Sequence, residues 1–470
     1  MNINDLEELP NIIDQIVVPS PCIFEDGNTI GEIIDLSLQV CYDYINDVPG
    51  VISEPEFEKI IRDYLSEVLE TMFENHICPV NQDDTMDDDG DNKIDVADEL
   101  EYVVDYVWDI FSTTVITERS NHNTDIYDAK DTDHDFITKQ IEKLRGIPQP
   151  TQRTDEWYKF RHTLITASNA YKAFESQSMQ NQLIYEKCKP LQKNDDTENQ
   201  PVKMVNTNSP LHWGQKYEPI SVMLYEDMYN TTVEDFGCLP HEEHNFLGAS
   251  PDGIVVDKKS SRYGRMLEIK NVVSRVINGI PKKEYWVQMQ LQMEVCNLDL
   301  CDFLETKFEE YQSEEDFIND TSDKTKGVIL YFNTKENVPK YVYKPLAITD
   351  MSDINKWIEH EIESGEKEGL LWIKTIYWKL ETLSCVLVSR NKDWFNKNIS
   401  QIKNVWDIIL KERVEGYEHR APKKNNSNKA SKASKSSIKS PPPFQQHQGC
   451  LLKIHTEKLS DNKDNNNDTA

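Results

Sequence analysis

The chain has 470 residues, of which 38% are hydrophobic, and its formal net charge is −32 at pH 7. This length allows two or three domains, and the apolar fraction suffices to build their cores. The chain contains no apolar run of about 18 residues, the length that a membrane-spanning helix needs, so we expect no membrane partner.

The cysteine pattern and the first residues of the chain indicate a cellular compartment. The nine cysteines are scattered along the chain without a CxxC pair. This pattern argues against a disulfide framework or a four-cysteine metal site. The start, MNINDLEELPN, lacks the basic and apolar regions of a signal peptide. We therefore expect a protein of a reducing intracellular compartment.

The negative charge is concentrated in the first part of the chain. Residues 1–140 hold 35 Asp and Glu residues but 6 Lys and Arg residues, a net charge of −29, which leaves −3 for the remaining 330 residues. An evenly acidic protein would repel nucleic acid. A localised acidic region with a near-neutral remainder leaves a nucleic-acid partner open.

Helical periodicity dominates this acidic part. The segments EFEKIIRDYLSEVLETMF (56–73) and VADELEYVVDYVWDIFSTTV (96–115) place apolar residues three and four positions apart. They predict an acidic, mostly helical N-terminal domain over residues 1–145.

An acidic stretch between these two segments resembles a calcium-binding loop. DDDGDNKIDVAD (Asp87–Asp98) offers oxygen ligands at positions 1, 3, 5 and 9 of an EF-hand-like loop. However, Asn92 stands where the turn favours Gly, and Asp98 stands where a bidentate Glu is usual. A solvated acidic loop is the simpler interpretation.

Mixed patterns follow over residues 146–418. GVILYFNT (327–334) and KYVYKPLAI (340–348) are rich in β-branched and aromatic residues, which predicts strands. The segment 390–417 has the apolar spacing of a long amphipathic helix. Residues 419–470 are rich in Lys, Ser, Asn and Pro and predict a disordered basic tail.

The most informative stretch is SPDGIVVDKKSSRYGRMLEIK. It predicts a β-hairpin with the strands GIVV and RMLEIK joined by DKKSSRYG. Residues two apart on a strand face the same side, so Leu267 and Ile269 should enter a core while Glu268 and Lys270 face away from it. The hairpin would also return Asp252 to the side of Glu268.

Two carboxylates that meet beside a lysine suit a hard divalent cation and an attacked phosphate. Burying an acid and an amine on a sheet is costly unless they are paired or hold a metal ion, so the pattern indicates a cleft. The alternative is a surface hairpin with a salt bridge.

At this point the sequence resembles the PD-(D/E)xK nuclease superfamily, and in particular the phage lambda exonuclease and YqaJ-type viral recombinase nucleases. The resemblance extends over roughly residues 150–310, where five segments occur in the family's order. These segments are EWYKFRHTLITASNAY, WGQKYEPI, SPDG, LEIK and YWVQMQLQM. The implied fold is a restriction-endonuclease-like α/β core, with a mixed central sheet flanked by helices.

The resemblance also implies site residues. It makes Glu218, Asp252 and Glu268 metal ligands for Mg²⁺ or Mn²⁺, with the Ile269 carbonyl as a further oxygen donor, and Lys270 the catalytic lysine. Gln288 reaches the site from the following helix, with Gln290 as the second glutamine of that motif. Because Gln288, Gln290 and Gln292 alternate in a helical segment, they cannot all share one face.

A pocket for the 5′-phosphate of a DNA end is implied as well. Arg161 and Ser168 match the residues that contact this phosphate in the phage enzyme. One departure is that no second arginine follows Ser168 closely, where KAFESQSMQNQ offers only Lys172. Strict 5′-end polarity is therefore open.

Other catalytic motifs are weaker or missing. HEEH (241–244) has two histidines for zinc, but it lies in a short connection with no obvious Cys or His partners. The sequence has no GxxxxGK loop for ATP and no GxSxG elbow.

The resemblance implies a divalent-metal-dependent deoxyribonuclease, most simply a 5′-to-3′ exonuclease that processes duplex DNA ends in viral recombination or repair. Its partners would be DNA ends, the single-stranded product, a recombinase or single-strand-annealing protein, and further copies of itself. A viral origin would put it in the host cytoplasm, a viral factory or the virion. The alternatives are an endonuclease or a nuclease that trims 3′ or single-stranded ends, and a non-catalytic DNA-binding or assembly protein on a nuclease scaffold.

Overall fold

A computed structural model describes residues 27–73, 96–117, 119–122, 133–152, 154–191, 206–207 and 209–422, without the side chains of 27–29 and 96–99. The calcium-loop hypothesis for Asp87–Asp98 falls outside the described side chains, and the predicted tail falls outside the described residues from 423 onward. The chain divides into two compact units, Met1–Ala421 and Pro422–Ala470, and the account below concerns the first.

Three helices form the described part of the acidic region. They are α1 (Gly27–Asp47), α2 (Phe57–Met72) and α3 (Val96–Thr114), and a 3-10 turn, Pro49–Ser53, connects the first two. In α2 the buried residues recur every fourth position, at Phe57, Ile61, Leu65 and Leu69. This spacing puts one apolar stripe on one face, as the sequence predicted, and the stripe packs in the same core as α3.

Within the described residues from 133 onward there are nine further α-helices. They are α4 (His134–Gly146), α5 (Asp155–His162), α6 (Ala167–Ala170), α7 (Gln177–Cys188), α8 (Pro210–Tyr229), α9 (Lys283–Cys296), α10 (Glu314–Asn319), α11 (Met351–Lys367) and α12 (Lys392–Glu415). The long closing helix predicted over 390–417 is α12. Ser209 caps α8 by accepting a hydrogen bond from the His212 amide, and Pro210 occupies the first turn, where its missing N–H costs nothing.

The strands of the described ranges form two sheets. They are β1 (Ile165–Thr166), β2 (Val233–Glu234), β3 (Leu239–Pro240), β4 (Leu247–Ala249), β5 (Gly253–Val255), β6 (Met266–Asn271), β7 (Leu300–Glu310), β8 (Lys326–Asn333), β9 (Pro339–Tyr343) and β10 (Leu371–Ser389). The large sheet has the order β2-β5-β6-β7-β10-β8-β9, and the small one has the order β1-β4-β3. The pair β6–β7 is parallel and the other neighbours in the large sheet are antiparallel.

The chain therefore has a mixed sheet flanked by helices, which confirms the predicted fold class. Strand β8 agrees with the prediction, whereas the strand predicted over 340–348 is too long, because β9 ends at Tyr343. Pro345 explains the early end, since proline has no N–H with which to continue a ladder. The Lys344 ammonium then caps the turn, donating to the carbonyl of Pro345 at 2.9 Å and also contacting that of Ile348.

Strand β6 is buried on both faces. On one face Leu267 and Ile269 join Tyr225 of α8 in an apolar cluster, as the alternation predicted. On the other face Glu268 lies under α9. The two helices thus cover opposite sides of the strand and leave its C-terminal end open to the surface.

The N-terminal helices share a core with helices from later in the chain. Residues of α1, α2 and α3 belong to the same apolar cluster as residues of α9 and α12. The division at residue 145 stays a prediction, although α4 ends next to it at Gly146. Among the described helices, none combines the length and apolarity that crossing a bilayer would require.

Candidate active site

The hairpin of β5 and β6 brings Asp252 beside Glu268. Gly253 pairs with Leu267 in the antiparallel register, and the Asp252 amide donates to the Leu267 carbonyl at 3.1 Å. The Ile269 amide donates to Oδ2 of Asp252 at 2.7 Å. This contact fixes the Asp252 carboxylate against the backbone next to Glu268, which is the juxtaposition that the sequence predicted.

Glu268 is fully buried and has two side-chain partners. Its Oε1 forms an ion pair with the Lys270 ammonium, which is 23% exposed. Its Oε2 accepts a 2.7 Å hydrogen bond from Nε2 of Gln292 on α9. A buried carboxylate needs such partners because an unpaired charge in a protein interior is very costly.

Burial and neighbouring charges shift the pKa values of Asp252 and Lys270. Burial and the neighbouring charges of Glu268 and Glu218 hold the pKa of Asp252 well above its usual range. Burial alone would lower the pKa of Lys270, but the carboxylates of Glu268 and Asp252 outweigh it and raise that pKa. Burial and the neighbouring carboxylates therefore disfavour the ionised form of Asp252, and the Lys270 ammonium offsets this only in part.

An open cleft of about 690 Å³ leads to this group at the end of β6. The N-terminal half of α8, the end of β6, the following loop and the first turn of α9 form its walls. The lining residues that bear on the chemistry are Glu218, Ile269, Lys270, Arg275, Lys282 and Tyr285.

Glu218 lies on α8 at the rim of this cleft and is exposed. It is close enough for its charge to contribute to the raised pKa of Asp252. The structure thus brings Glu218, Asp252, Glu268 and Lys270 to one region, with Glu218 on the solvent side.

The three alternating glutamines of α9 have different surroundings. Gln292 contacts Glu268, whereas Gln290 donates to the Ser389 carbonyl and accepts from the Asn391 amide at the start of α12. Gln288 is half-buried one turn before Gln292 and on the same helical face. Gln290 thus faces away from the cleft and secures α12, and Gln292 is the glutamine that reaches the carboxylates.

Arg161 lies at the end of α5, with its guanidinium over the Trp157 ring, 4.4 Å from the centroid. Burial lowers its pKa, and its neighbour is the Cys238 thiol, which in turn lies beside Ser250. The Ser250 carbonyl accepts from Gln292 at 3.2 Å. These contacts link Arg161 to the carboxylate site through a short series of neighbours.

Ser168 is exposed at the start of α6, where its hydroxyl lies 3.3 Å from that of Thr166. Lys172, the cation that follows it in sequence, forms an ion pair with Glu186 at 3.1 Å. A different cation stands beside Arg161. This is Lys187 of α7, which is 9% exposed and donates to the Arg161 carbonyl at 2.7 Å.

Lys187 has an unusual environment. Burial, followed by the charges of Arg161 and Arg413, lowers its pKa to about 8. Arg413 itself donates to the carbonyls of His162 and Lys187, at 2.6 and 2.8 Å. Three cations therefore meet at the junction of α5, α7 and α12. We call Arg161, Lys187 and Arg413 the basic cluster.

The carboxylate site fits a divalent cation held jointly with a substrate. In the part of the chain that the structure describes, no three His, Cys, Asp or Glu side chains are grouped to hold a metal ion by themselves. Mg²⁺, however, is usually bound by one or two carboxylates together with waters and substrate phosphates. Asp252 and Glu268 supply two such carboxylates, and their mutual repulsion favours a cation between them.

The HEEH segment, residues 241–244, has a structural role. It connects β3 to β4, and Nδ1 of His241 accepts hydrogen bonds from the amides of Glu243 and His244, at 3.0 and 3.2 Å. Burial and the nearby His244 lower the pKa of His241 to about 4. A neutral His241 thus closes a turn of the backbone.

Three residues near the site were assigned no role from the sequence, namely Lys187, Arg275 and Gln292. Arg275 lines the cleft and forms an ion pair with Glu305, which is 1% exposed on β7. Glu305 also stands opposite Lys270 in the β6–β7 ladder. For Gln292 the helical spacing from Gln288 was a usable signal, whereas nothing in the sequence connects Lys187 with Arg161.

The comparisons with known proteins agree with the sequence resemblance. An uncharacterized protein, R354, of Acanthamoeba polyphaga mimivirus is 30% identical over 335 residues, which cover 63% of this chain and 59% of R354. The chain thus spans less than two thirds of that relative.

Solved structures with some likeness include the alkaline exonuclease LHK-Exo from Laribacter hongkongensis, at 18% identity and a TM-score of 0.30, over 57% of this chain and 95% of that one. A phage-related exonuclease from Haemophilus somnus 129PT has 13% identity and a TM-score of 0.28, over 53% and 96%. The family model described as the YqaJ-like viral recombinase domain matches residues 156–299. That match includes the five segments singled out in the sequence, and it confirms their resemblance to the YqaJ-type viral recombinases.

Proposed function

We propose that this protein is a divalent-metal-dependent deoxyribonuclease that hydrolyses phosphodiester bonds at duplex DNA ends. The observation that carries the proposal is the pairing of the half-buried Asp252 and the buried Glu268 on one hairpin, with Lys270 beside them on the wall of an open cleft. These residues form the acid, acid-x-lysine pattern of the PD-(D/E)xK nucleases. The match of residues 156–299 to a viral recombinase domain supports the same assignment.

Each residue has a distinct task in this proposal. Asp252 and Glu268, joined by the Ile269 carbonyl and with Glu218 at the rim, would hold Mg²⁺ or Mn²⁺. Such an ion, when bound, polarises a phosphate and lowers the pKa of an attacking water. Gln292 fixes the Glu268 carboxylate, and Gln288 lies one turn nearer the start of α9, where a substrate strand would pass.

Lys270 is the ammonium group of the site. It is partly exposed to the cleft while its Nζ contacts Glu268, so it can donate a hydrogen bond to a phosphate oxygen without leaving its partner. Charge that develops on that oxygen during hydrolysis would be stabilised by this fixed donor. The remaining cleft cations, Arg275 and Lys282, provide further contacts to the DNA backbone.

The basic cluster supports recognition of a 5′-phosphate and hence 5′-to-3′ polarity. Arg161 presents a planar guanidinium fork, which matches phosphate geometry. Lys187 supplies the second cation that the sequence lacks after Ser168, and Ser168 adds a hydroxyl. Arg161 is connected to the carboxylate site through Cys238, Ser250 and Gln292, and in this proposal the cluster would hold the terminal phosphate while the adjoining bond is cut.

This activity would serve DNA recombination or repair in a virus. The single-stranded product of a 5′-to-3′ exonuclease is the substrate of a recombinase or a single-strand-annealing protein, so we include such a partner. We also include assembly into a homo-oligomer, as the resemblance implies.

The test is digestion of end-labelled DNA by the purified protein. We expect nucleotide release from linear duplex with Mg²⁺ or Mn²⁺, loss of release with a chelator, and faster release from 5′-phosphorylated than from 5′-hydroxyl ends. Equal rates on both ends, or cleavage of covalently closed circles, would favour the endonuclease or 3′-trimming alternative. DNA binding without cleavage in either metal would favour the non-catalytic alternative.

A further inference from the structure

The N-terminal helical region touches the wall of the cleft through a short segment, residues 119–122. This segment lies outside the matched recombinase domain, whereas the loop it contacts, residues 272–282, lies within it. Residues at both ends of that loop line the cleft. The contacts between the two segments are therefore a structural connection from the acidic region to the candidate active site.

Arg119 makes the central contact. Its guanidinium donates to three backbone carbonyls, those of Glu54, Ser53 and Pro281, at 2.9, 3.0 and 2.7 Å. The first two belong to the end of the 3-10 turn between α1 and α2, and the third belongs to the loop. One side chain thus joins the helical region to the cleft wall, and burial lowers its pKa to about 10.

The start of α9 is held by the same residue. Nε1 of Trp286 donates to the Arg119 carbonyl at 3.1 Å, and the guanidinium lies 5.7 Å from the centroid of the Trp286 ring. Trp286 is 1% exposed and directly follows Tyr285, which lines the cleft. Arg119 therefore fixes both the end of the loop and the first turn of the helix that carries Gln288 and Gln292.

Two further contacts fix the segment 119–122, one with the loop and one with strand β10. Gly279 has a φ of +74°, and a Cβ at this position would lie 2.3 Å from Cε1 of His122. Asn121 pairs with Leu387 of β10 through two backbone hydrogen bonds, at 2.8 and 2.9 Å, which anchors the segment on the central sheet. The segment is thus fixed on one side and packed against the loop on the other.

Salt bridges add to the junction. The Lys283 ammonium bridges Glu54 and Glu175, at 2.6 and 3.0 Å. Lys283 is the first residue of α9, and Lys282 before it lines the cleft. The helical region, the loop and α9 are therefore connected by a guanidinium, an ammonium and a tight backbone contact.

We propose that Arg119 is a positioning residue for the candidate active site, through which the N-terminal helical region sets the geometry of the DNA-binding cleft. Arg119 acts on the 272–282 loop and on α9 and touches neither substrate nor metal. Loosening of this loop displaces Lys282 and the backbone that carries Arg275. The Asp252 contact on the hairpin and the backbone carbonyl of residue 119 that holds Trp286 of α9 do not depend on the guanidinium. The effect should therefore fall on substrate binding more than on the chemical step. This inference rests on the proposed nuclease function.

The test compares three variants of the full-length chain. Arg119→Ala removes all three carbonyl contacts, and Arg119→Lys keeps a cation with fewer donors. Arg62→Ala is the matched control, because Arg62 also joins two of the N-terminal helices, contacting Glu58 and Asp105, but does not touch the loop. The measurements are KM and kcat for linear duplex with Mg²⁺, and hydrogen exchange of the loop amides.

We expect Arg119→Ala to raise KM about tenfold with a smaller change in kcat, since misplacement of positioning groups costs rate and affinity far from the chemistry. Arg119→Lys should fall between wild type and Arg119→Ala, and Arg62→Ala should match wild type. A decrease in kcat with unchanged KM, or an equal effect of Arg62→Ala, would overturn the inference.

A second variant and a second measurement cover the cases in which Arg119→Ala does not fold or the wild-type protein cuts no DNA. If Arg119→Ala does not fold, Gly279→Ala provides a second route, because its Cβ would push the loop off His122, and it should raise KM in the same way. An unchanged KM in Gly279→Ala would then overturn the inference. If the wild-type protein cuts no DNA, the proposed function fails, but faster exchange of amides 276–281 in Arg119→Ala would still support the contact, and unchanged exchange would overturn it.

Discussion

Gln292 donates a 2.7 Å hydrogen bond to Oε2 of Glu268, and both side chains are fully buried. The contact joins the helix that covers one face of β6 to the carboxylate at the centre of the site. A buried carboxylate held by one ammonium and one amide has few other orientations available. The orientation of Glu268 should therefore depend on Gln292.

The first prediction concerns this hydrogen bond. Gln292→Leu should lower kcat at least about tenfold, because the Glu268 carboxylate loses the donor that fixes it. Gln290→Leu is the control, since Gln290 is equally buried but bonds to residues at the start of α12. It should reduce the thermal stability and leave the kcat of the folded protein unchanged. Equal kcat values for the two variants would argue against a role for Gln292 in the site.

A second prediction uses the lowered pKa of Lys187, about 8. Its ammonium is present at pH 7 and is lost as the pH rises through about 8. A 5′-phosphate remains dianionic over this range, since its second pKa is about 6. The preference for 5′-phosphorylated over 5′-hydroxyl ends, measured as a ratio of kcat/KM values, should therefore decline between pH 7 and pH 9.

The control for this prediction is Lys187→Arg, whose guanidinium stays charged throughout that range. Its preference for phosphorylated ends should not change with pH. A preference that is constant in wild type, or that declines equally in Lys187→Arg, would contradict the assignment of Lys187 to the phosphate pocket.

A third prediction concerns the support of the hairpin. Asp302 of β7 is fully buried, where it accepts a 2.6 Å hydrogen bond from Tyr225 and pairs with Arg262 and Arg265. These arginines lie in the connection between β5 and β6, so Asp302 fixes the hairpin that carries the carboxylates. Asp302→Asn should lower the free energy of unfolding by about 3 kcal/mol, since it leaves buried guanidinium groups without a counter-charge.

Chemical denaturation measures this change, with Asp299→Asn as the control. Asp299 also pairs with basic side chains, Arg390 and Lys392, but it is 62% exposed. Its removal should cost less than about 1 kcal/mol, as is usual for surface ion pairs. A similar cost for both variants would show that the buried pair does not support the hairpin.

The fourth prediction concerns Gly253, which follows Asp252 in the first strand of the hairpin. A Cβ at this position would lie 2.2 Å from Cγ1 of Val233 on β2. Gly253→Ala should displace the strand, cost about 1 to 3 kcal/mol of stability and reduce cleavage. Gly214→Ala is the control at the rim of the cleft, since no atom lies within 4 Å of its added Cβ. Full activity in Gly253→Ala would show that the position of Asp252 tolerates this shift.

The sequence predicted the hairpin well because strand alternation and turn composition are local. The separation of Leu267 and Ile269 from Glu268 follows from the period of a strand, and the return of Asp252 follows from a short loop. The helices α2, α3 and α12 could be predicted equally well from the sequence, since their apolar spacing is regular over more than four turns.

Contacts between residues far apart in the sequence could not be predicted from such local patterns. Lys187 meets Arg161 because α7 packs beside the end of α5, and no local pattern encodes that packing. The resemblance implied Gln288 and Gln290, whereas the contact of Gln292 with Glu268 depends on how α9 packs over β6. The contact of Arg119 with the Pro281 carbonyl joins residues 162 positions apart, and only the folded chain reveals it.

The most direct test of the account is nucleotide release from linear duplex DNA with Mg²⁺ by wild type, Glu268→Gln, Lys270→Met and the control Lys259→Met. Lys259 also follows an acid by two residues, Asp257, but it is exposed in the loop of the hairpin. We predict losses of about a thousandfold in the two site variants, with DNA binding in Ca²⁺ retained, and full activity in the control. Release that persists in both site variants would contradict the assignment of hydrolysis to this cleft.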